Sequence, residues 1–115
     1  MTLEEFQKFI DEQDAFFRSL GKSASERERV LARTVKLSEE LGELCDEVLA
    51  SQGFQRAGKM ETRDQNGLGD EFADVAIVTF LLAKSMNVDI MAALDRKVKK
   101  IKEKHNKQLE SGSVA

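Results

Sequence analysis

Glu40 with Glu43, and Glu71 with Asp74, form two carboxylate pairs, each with three-residue spacing. On an α-helix that spacing puts both members on one face, so each pair presents its acids side by side. Two such pairs brought together make a box lined only by oxygen. That donor set suits a hard divalent cation such as Mg²⁺. One pair alone is weak evidence in a chain with 21 Asp and Glu residues. The second pair carries more, because Asp74 leads straight into Val75-Ala76-Ile77-Val78, a run with little room for water. Burying an isolated carboxylate costs on the order of several kcal/mol, and like-charged neighbours resist joint ionisation. A divalent cation relieves both difficulties; an ion pair with Lys36 or Lys97, or a protonated acid, is the alternative.

Four helices are expected to position these groups. Phe6, Phe9, Ile10, Phe16, Phe17 and Leu20 recur at helical spacing over Leu3 to Leu20, with Thr2 and Glu5 as a capping box and Gly21 as the stop. First-helix aromatics are mostly core by this reading, with a base-binding floor as the functional alternative. Ser25 and Glu28 mark the start of a second helix running to about Ser51. Steps of 100° place Lys36, Glu40, Glu43 and Glu47 on a single strip beside its apolar face, with Glu39 on the other polar border. Cys45 falls in the apolar stripe and is expected to be a packed thiol. From Gln52 to Gly69 the periodicity lapses into glycines, amides and charges, a loop that could act as a lid or simply connect. The third helix begins near Leu68 to Asp70 and is apolar on almost every side after Asp74, which predicts burial all round, with one face packed against another subunit. Asp89 can cap a fourth helix with the stripe Ile90, Met91, Leu94, Val98 and Ile101. That helix holds seven Lys and Arg between Arg96 and Lys107; Lys97 and Lys104 share one flank where they could face an anion.

The bulk composition limits the setting. A length of 115 residues fits one domain, 1–110, followed by a flexible tail, 111–115. The net charge of −3 and the lack of interleaved aromatic and basic residues argue against nucleic acid as a partner. One cysteine and no basic-then-apolar leader point to a cytoplasmic protein, and no stretch is long enough to span a membrane.

The segments Lys36-Leu37-Ser38-Glu39-Glu40-Leu41-Gly42-Glu43-Leu44 and Gly69-Asp70-Glu71-Phe72-Ala73-Asp74-Val75 resemble the signature of the MazG-like family. These are all-α nucleoside triphosphate pyrophosphohydrolases. The resemblance implies that Glu40, Glu43, Glu71 and Asp74 hold Mg²⁺, with Mn²⁺ as a substitute. It implies attack of a metal-activated water on the α-phosphorus of a bound nucleoside triphosphate, releasing a nucleoside monophosphate and pyrophosphate. Glu40 is then the candidate to orient or deprotonate the water, with Glu39 and Glu47 accessory. Lys36, Lys97 and Lys104 would neutralise phosphate. Gly42, unfavourable inside a helix, is explained by close approach of a neighbouring helix. The family often carries Asn and Arg four and seven residues after the last-helix Lys; here Ile101 and Lys104 follow Lys97. With no Trp, Phe54 or a first-helix Phe would take the place of the family's base-pocket aromatic.

The expected architecture is therefore an all-α, four-helix MazG-like bundle with an antiparallel central helix pair, assembled as a homodimer or homotetramer. The competing reading is a non-catalytic helical oligomer that binds metal or nucleotide without turnover. A di-iron carboxylate bundle is rejected, because such sites use Glu-x-x-His pairs and the only histidine, His105, is near neither motif.

Overall fold

The computed structural model describes residues 1–54 and 66–112. Among them the chain forms α1 (Leu3–Leu20), α2 (Glu26–Ser51), α3 (Gly67–Ser85) and α4 (Ile90–Glu110), with no strand. Each boundary has a local cause. The Thr2 hydroxyl accepts from the Glu5 N–H, Ser25 and Glu28 close a reciprocal capping box, and the Asp89 carboxylate accepts from the Ala92 N–H. Three helices end through left-handed residues, α4 at Gly112 with φ 70°. At the end of α2, Gly53 has φ 85° and the Phe54 N–H reaches back to the Leu49 carbonyl at 2.8 Å. At the end of α3, Asn87 has φ 55° and the Val88 N–H reaches the Ala83 carbonyl at 2.9 Å. Both are Schellman-type stops, one on glycine and one on asparagine. Helix α3 starts at Gly67, one residue ahead of the expected start near Leu68 to Asp70. Most of the expected lid, 55–65, lies outside the described residues.

Helix α3 is the central element, with α2 packed along it and α1 against it. Late α2 meets early α3: a Cβ placed on Gly67 would lie 3.2 Å from a carboxylate oxygen of Glu47. Early α2 meets late α3 through Arg33, whose guanidinium donates to the Leu81 carbonyl at 2.9 Å and to the Ser85 hydroxyl. The same guanidinium grips buried Asp14 of α1 at 2.8 Å, so one side chain ties three helices. Arg18 holds the other oxygen of Asp14 at 2.9 Å and pairs with Glu26 across the α1–α2 link. Phe6 and Phe80 meet edge to face at 4.9 Å, and Lys84 pairs with Asp11 at 3.0 Å, fixing the other half of α1 on α3.

The apolar core is thin. Ile10, Ala50 and Leu81 are the buried hydrophobic residues among those described. The Cα radius of gyration is 18.5 Å, against about 13 Å for a compact chain of this length. Helix α4 has no buried residue, and its Leu94, Val98 and Ile101 are each nearly half exposed. Several sequence expectations are corrected by this openness. A single chain covers helix α3 only in part: after Asp74, Leu81 and Ser85 are buried, Ala76 and Lys84 are exposed and the rest are half-buried. Cys45 is exposed, not packed. Nothing lies within 4 Å of a Cβ placed on Gly42, so no helix of the same chain approaches there. The physical reason is common to all three: the apolar faces outnumber the helices that one chain supplies to cover them. No single helix among the described residues is long and apolar enough to cross a membrane.

The Asp14 clamp generates a stability prediction. Burial opposes ionisation of Asp14, but hydrogen bonds from Arg33 and Arg18 outweigh it and hold the carboxyl below its ordinary value of 3.8. Its stabilisation is therefore complete above 3.8 and is lost as pH falls through the lower folded value. Asp14→Asn leaves Arg33 without its counter-charge and should cost about 3 kcal/mol at neutral pH. Urea unfolding of both proteins from pH 7 down to pH 2 checks this: the gap should close at the acid end.

Candidate metal centre

Glu40, Glu43 and Glu71 come together where α2 crosses α3. Each offers a carboxylate oxygen, and the three oxygens lie within 4.8 Å of one another. Helical spacing puts Glu40 and Glu43 on one face of α2, and the packing of α3 brings Glu71 opposite them. Burial is graded across the group: Glu40 is buried, Glu71 half-buried and Glu43 exposed. Glu40 spends one oxygen on Lys36, 3.2 Å away, an (i, i+4) pair on the same helix. Its other oxygen, Oε2, is buried and accepts no hydrogen bond, and Oε2 of Glu71 is in the same position.

These two oxygens decide whether the residues fit a cation. Buried acceptors without donors are costly, and like charges crowd beside them. Desolvation, then the charges of Glu43, Asp74, Glu40 and Glu47, push Glu71 above its ordinary value of 4.5. Lys36 answers part of this charge; its ammonium is held above its ordinary value by the hydrogen bond to Glu40. Lys36 touches Glu40 and Glu39 and neither of the other two members. An all-oxygen group left short of positive charge, with two acceptor atoms aimed inward, fits a hard divalent cation.

The group opens onto a cleft of about 720 Å³ between α1, early α2 and α3. Glu40, Asp74 and Lys36 stand at one end of its lining, and Gly21 and Ala24 of the α1–α2 link at the other. Asp74 is exposed and stands outside the tight group of three, near enough for its charge to act on Glu71. Glu39 is exposed at 3.7 Å from Lys36, and Glu47 lies by the first turn of α3. The structure does not bring the remaining sequence candidates to the cleft. Phe54 is 72% exposed beyond the end of α2. Lys97 and Lys104 are exposed on α4, where Lys104 borders a separate depression with Lys100 and Lys107. Phe17, one of the first-helix aromatics offered as a base-binding floor, lines the cleft, and so do Gln13 and Arg33, which were not singled out by motif. The four-residue spacing of Gln13 and Phe17 on one face of α1 was the available signal.

An all-α chain with an ExxE strip on one helix, met by an acid from the next, defines a class of helical carboxylate proteins. Residues 31–113 match the MazG-like family, and the chain belongs to it. Among curated proteins, it is 30% identical over 95 residues to the uncharacterized protein YpjD of Bacillus subtilis (strain 168), covering 83% of this chain and 78% of that one. No solved structure matches.

The raised Glu71 carboxyl predicts a reversal that thermal melts can read. Without metal, charge on Glu71 costs stability, so Glu71→Gln should melt higher than the wild type at neutral pH. That gain should grow as pH rises from 4.5 and level off above the raised folded value. Millimolar Mg²⁺ should invert the order, raising the wild-type melting temperature while leaving Glu71→Gln nearly unmoved.

Proposed function

We propose that the protein is a divalent-metal-dependent nucleoside triphosphate pyrophosphohydrolase, releasing a nucleoside monophosphate and pyrophosphate. The observation that carries this reading is the three-carboxylate group, with two buried unpartnered oxygens, at the mouth of a nucleotide-sized cleft in a MazG-like chain. Glu40, Glu43 and Glu71 would hold Mg²⁺, or Mn²⁺ in its place, with Asp74 completing the set from the cleft rim. The ion would supply positive charge that neutralises the triphosphate and polarises the phosphorus under attack. Glu40 is the candidate to orient or deprotonate the water: it is buried, its position is fixed by Lys36, and a carboxylate held on the metal can bind that water directly. Water attack on the α-phosphorus breaks its bond to the oxygen bridging to the β-phosphate, and pyrophosphate leaves with that oxygen. Lys36 gives a point charge beside the phosphates. Glu39 and Glu47 would be accessory groups, Glu39 through its pairing with Lys36, and the α4 lysines, Lys97 and Lys104, add diffuse countercharge.

Assembly belongs to the same reading. The thin core, the uncovered stripe of α4 and the open space over Gly42 support a homodimer or homotetramer. The Glu47–Gly67 and Arg33–Ser85 approaches support an antiparallel α2–α3 pair at its centre. The single cysteine fits a reducing, cytoplasmic setting and a role in trimming nucleotide pools.

Two measurements test this. A panel of ribo- and deoxyribonucleoside triphosphates with Mg²⁺, followed by product analysis, should show monophosphate and pyrophosphate in equal amounts. Glu40→Gln should lower kcat by about a hundredfold or more, and a wild type inert on every nucleotide would sink the hydrolase reading. Light scattering should return at least twice the chain mass of 12.9 kDa.

A further inference from the structure

Glu47 stands on the acidic strip of α2 but outside the tight group, whose three oxygens come from Glu40, Glu43 and Glu71. It lies one turn beyond Glu43, and its carboxylate reaches the start of α3. A Cβ added to Gly67 would meet Glu47 Oε2 at 3.2 Å and its Cδ at 3.7 Å, the first tighter than side chains ordinarily pack. That oxygen is buried. A buried carboxylate oxygen needs positive potential around it, and the first turn of a helix supplies some. The N–H groups there have no partner inside the helix and carry the positive end of its dipole. In α3 the ladder starts at Asp70, whose N–H bonds to the Asn66 carbonyl at 2.9 Å, so the N–H groups of residues 67–69 lie ahead of it. Thr2, Ser25 and Asp89 cap the other three helices with their side chains; Asn66 makes no such bond to α3.

We propose that Glu47 is a positioning residue: it anchors the first turn of α3 from across the helix pair, Gly67 is bare so that it can, and the contact holds Glu71 against Glu40 and Glu43. The consequence for an ion rests on the metal reading above; the contact itself does not. Gly67 and Glu71 are four residues apart and share one face of α3, as Glu43 and Glu47 share one face of α2. The Glu47–Gly67 approach is therefore the rung next to the one where Glu71 meets Glu43. Like charges push that second rung apart. A carboxylate on a helix N-terminus draws the first one together. Arg33 grips α3 only at Leu81 and Ser85, and Leu81 is roughly 15 Å along the axis from Glu71. Without a hold at Gly67, the acidic end of the pair is free to splay.

A double-mutant cycle on Glu47 and Gly67, read first without metal, tests the contact. Hydrogen exchange at the Asp70 and Glu71 amides should speed about fivefold in Glu47→Ala, the loss of a cap. Glu47→Gln keeps an acceptor and loses the charge, so it should fall between, and it serves in place of an alanine variant that does not fold. Gly67→Ala should speed exchange while Glu47 is present, because the methyl pushes the carboxylate off the turn. Once Glu47 is gone it should slow exchange, since alanine is the better helix former. In calorimetric titrations, Glu47→Ala should weaken Mg²⁺ binding about tenfold, and Gly67→Ala should weaken it only in the presence of Glu47. An effect of Gly67→Ala with one sign in both backgrounds overturns the proposal. So does weaker Mg²⁺ binding with unchanged exchange, which would make Glu47 a ligand. Faster exchange in Glu47→Ala, in a protein whose wild type binds no Mg²⁺, upholds the anchor and removes the metal reading instead.

Discussion

Repulsion among carboxylates is the constraint that the rest of the fold is arranged around. Packing α2 against α3 cannot avoid bringing Glu71 to Glu40 and Glu43, because all three stand on the faces that meet. The helices are nonetheless held together at the opposite end, where Arg33 takes Asp14, the Leu81 carbonyl and Ser85 in one grip. A charge-assisted contact of that kind is among the stronger ones a small protein makes. Attraction at one end and repulsion at the other leave the acids close, partly dehydrated and short of positive charge. Sites that bind ions are commonly built in this way, with the scaffold bearing a cost that the ion removes.

The same division explains the cleft. Arg18, Arg29 and Arg33 cluster where α1, α2 and their link converge, and each is spent on a protein acceptor. Arginine suits that work because its planar fork serves several acceptors at once. Lysine serves the frame once, where Lys84 pairs with Asp11, and otherwise stands at solvated positions, at Lys36 and along α4.

Much of this was legible in the sequence. Caps and stops at Thr2, Gly21, Ser25 and Asp89 are short-range chemistry, and the four helices follow from them with the periodicity. The ExxE strip was legible because helical spacing alone puts Glu40 beside Glu43. What periodicity could not give was the depth of burial, which depends on which faces find a partner. Cys45 and the body of α3 were expected inside because they lie among apolar neighbours, yet one chain covers α3 only in part and leaves Cys45 exposed. The Asp14–Arg33 clamp was equally hidden, since its members are 19 residues apart and neither stands in a motif. It emerges only when α1 is laid across α3.

Helix α4 carries a consequence for dynamics. In a lone chain its first turn, Ile90 to Ala93, is half-buried, and beyond it the helix rests on its own backbone ladder. Most helical stability in proteins comes from packing of an apolar face rather than from the backbone ladder. Its amide hydrogens would then exchange through local fraying, while those of α2 and α3 near Arg33 wait for wider opening. Hydrogen exchange would divide a lone chain into a slow three-helix unit and a fast fourth helix, and any surface that covers α4 would be read as the loss of that division.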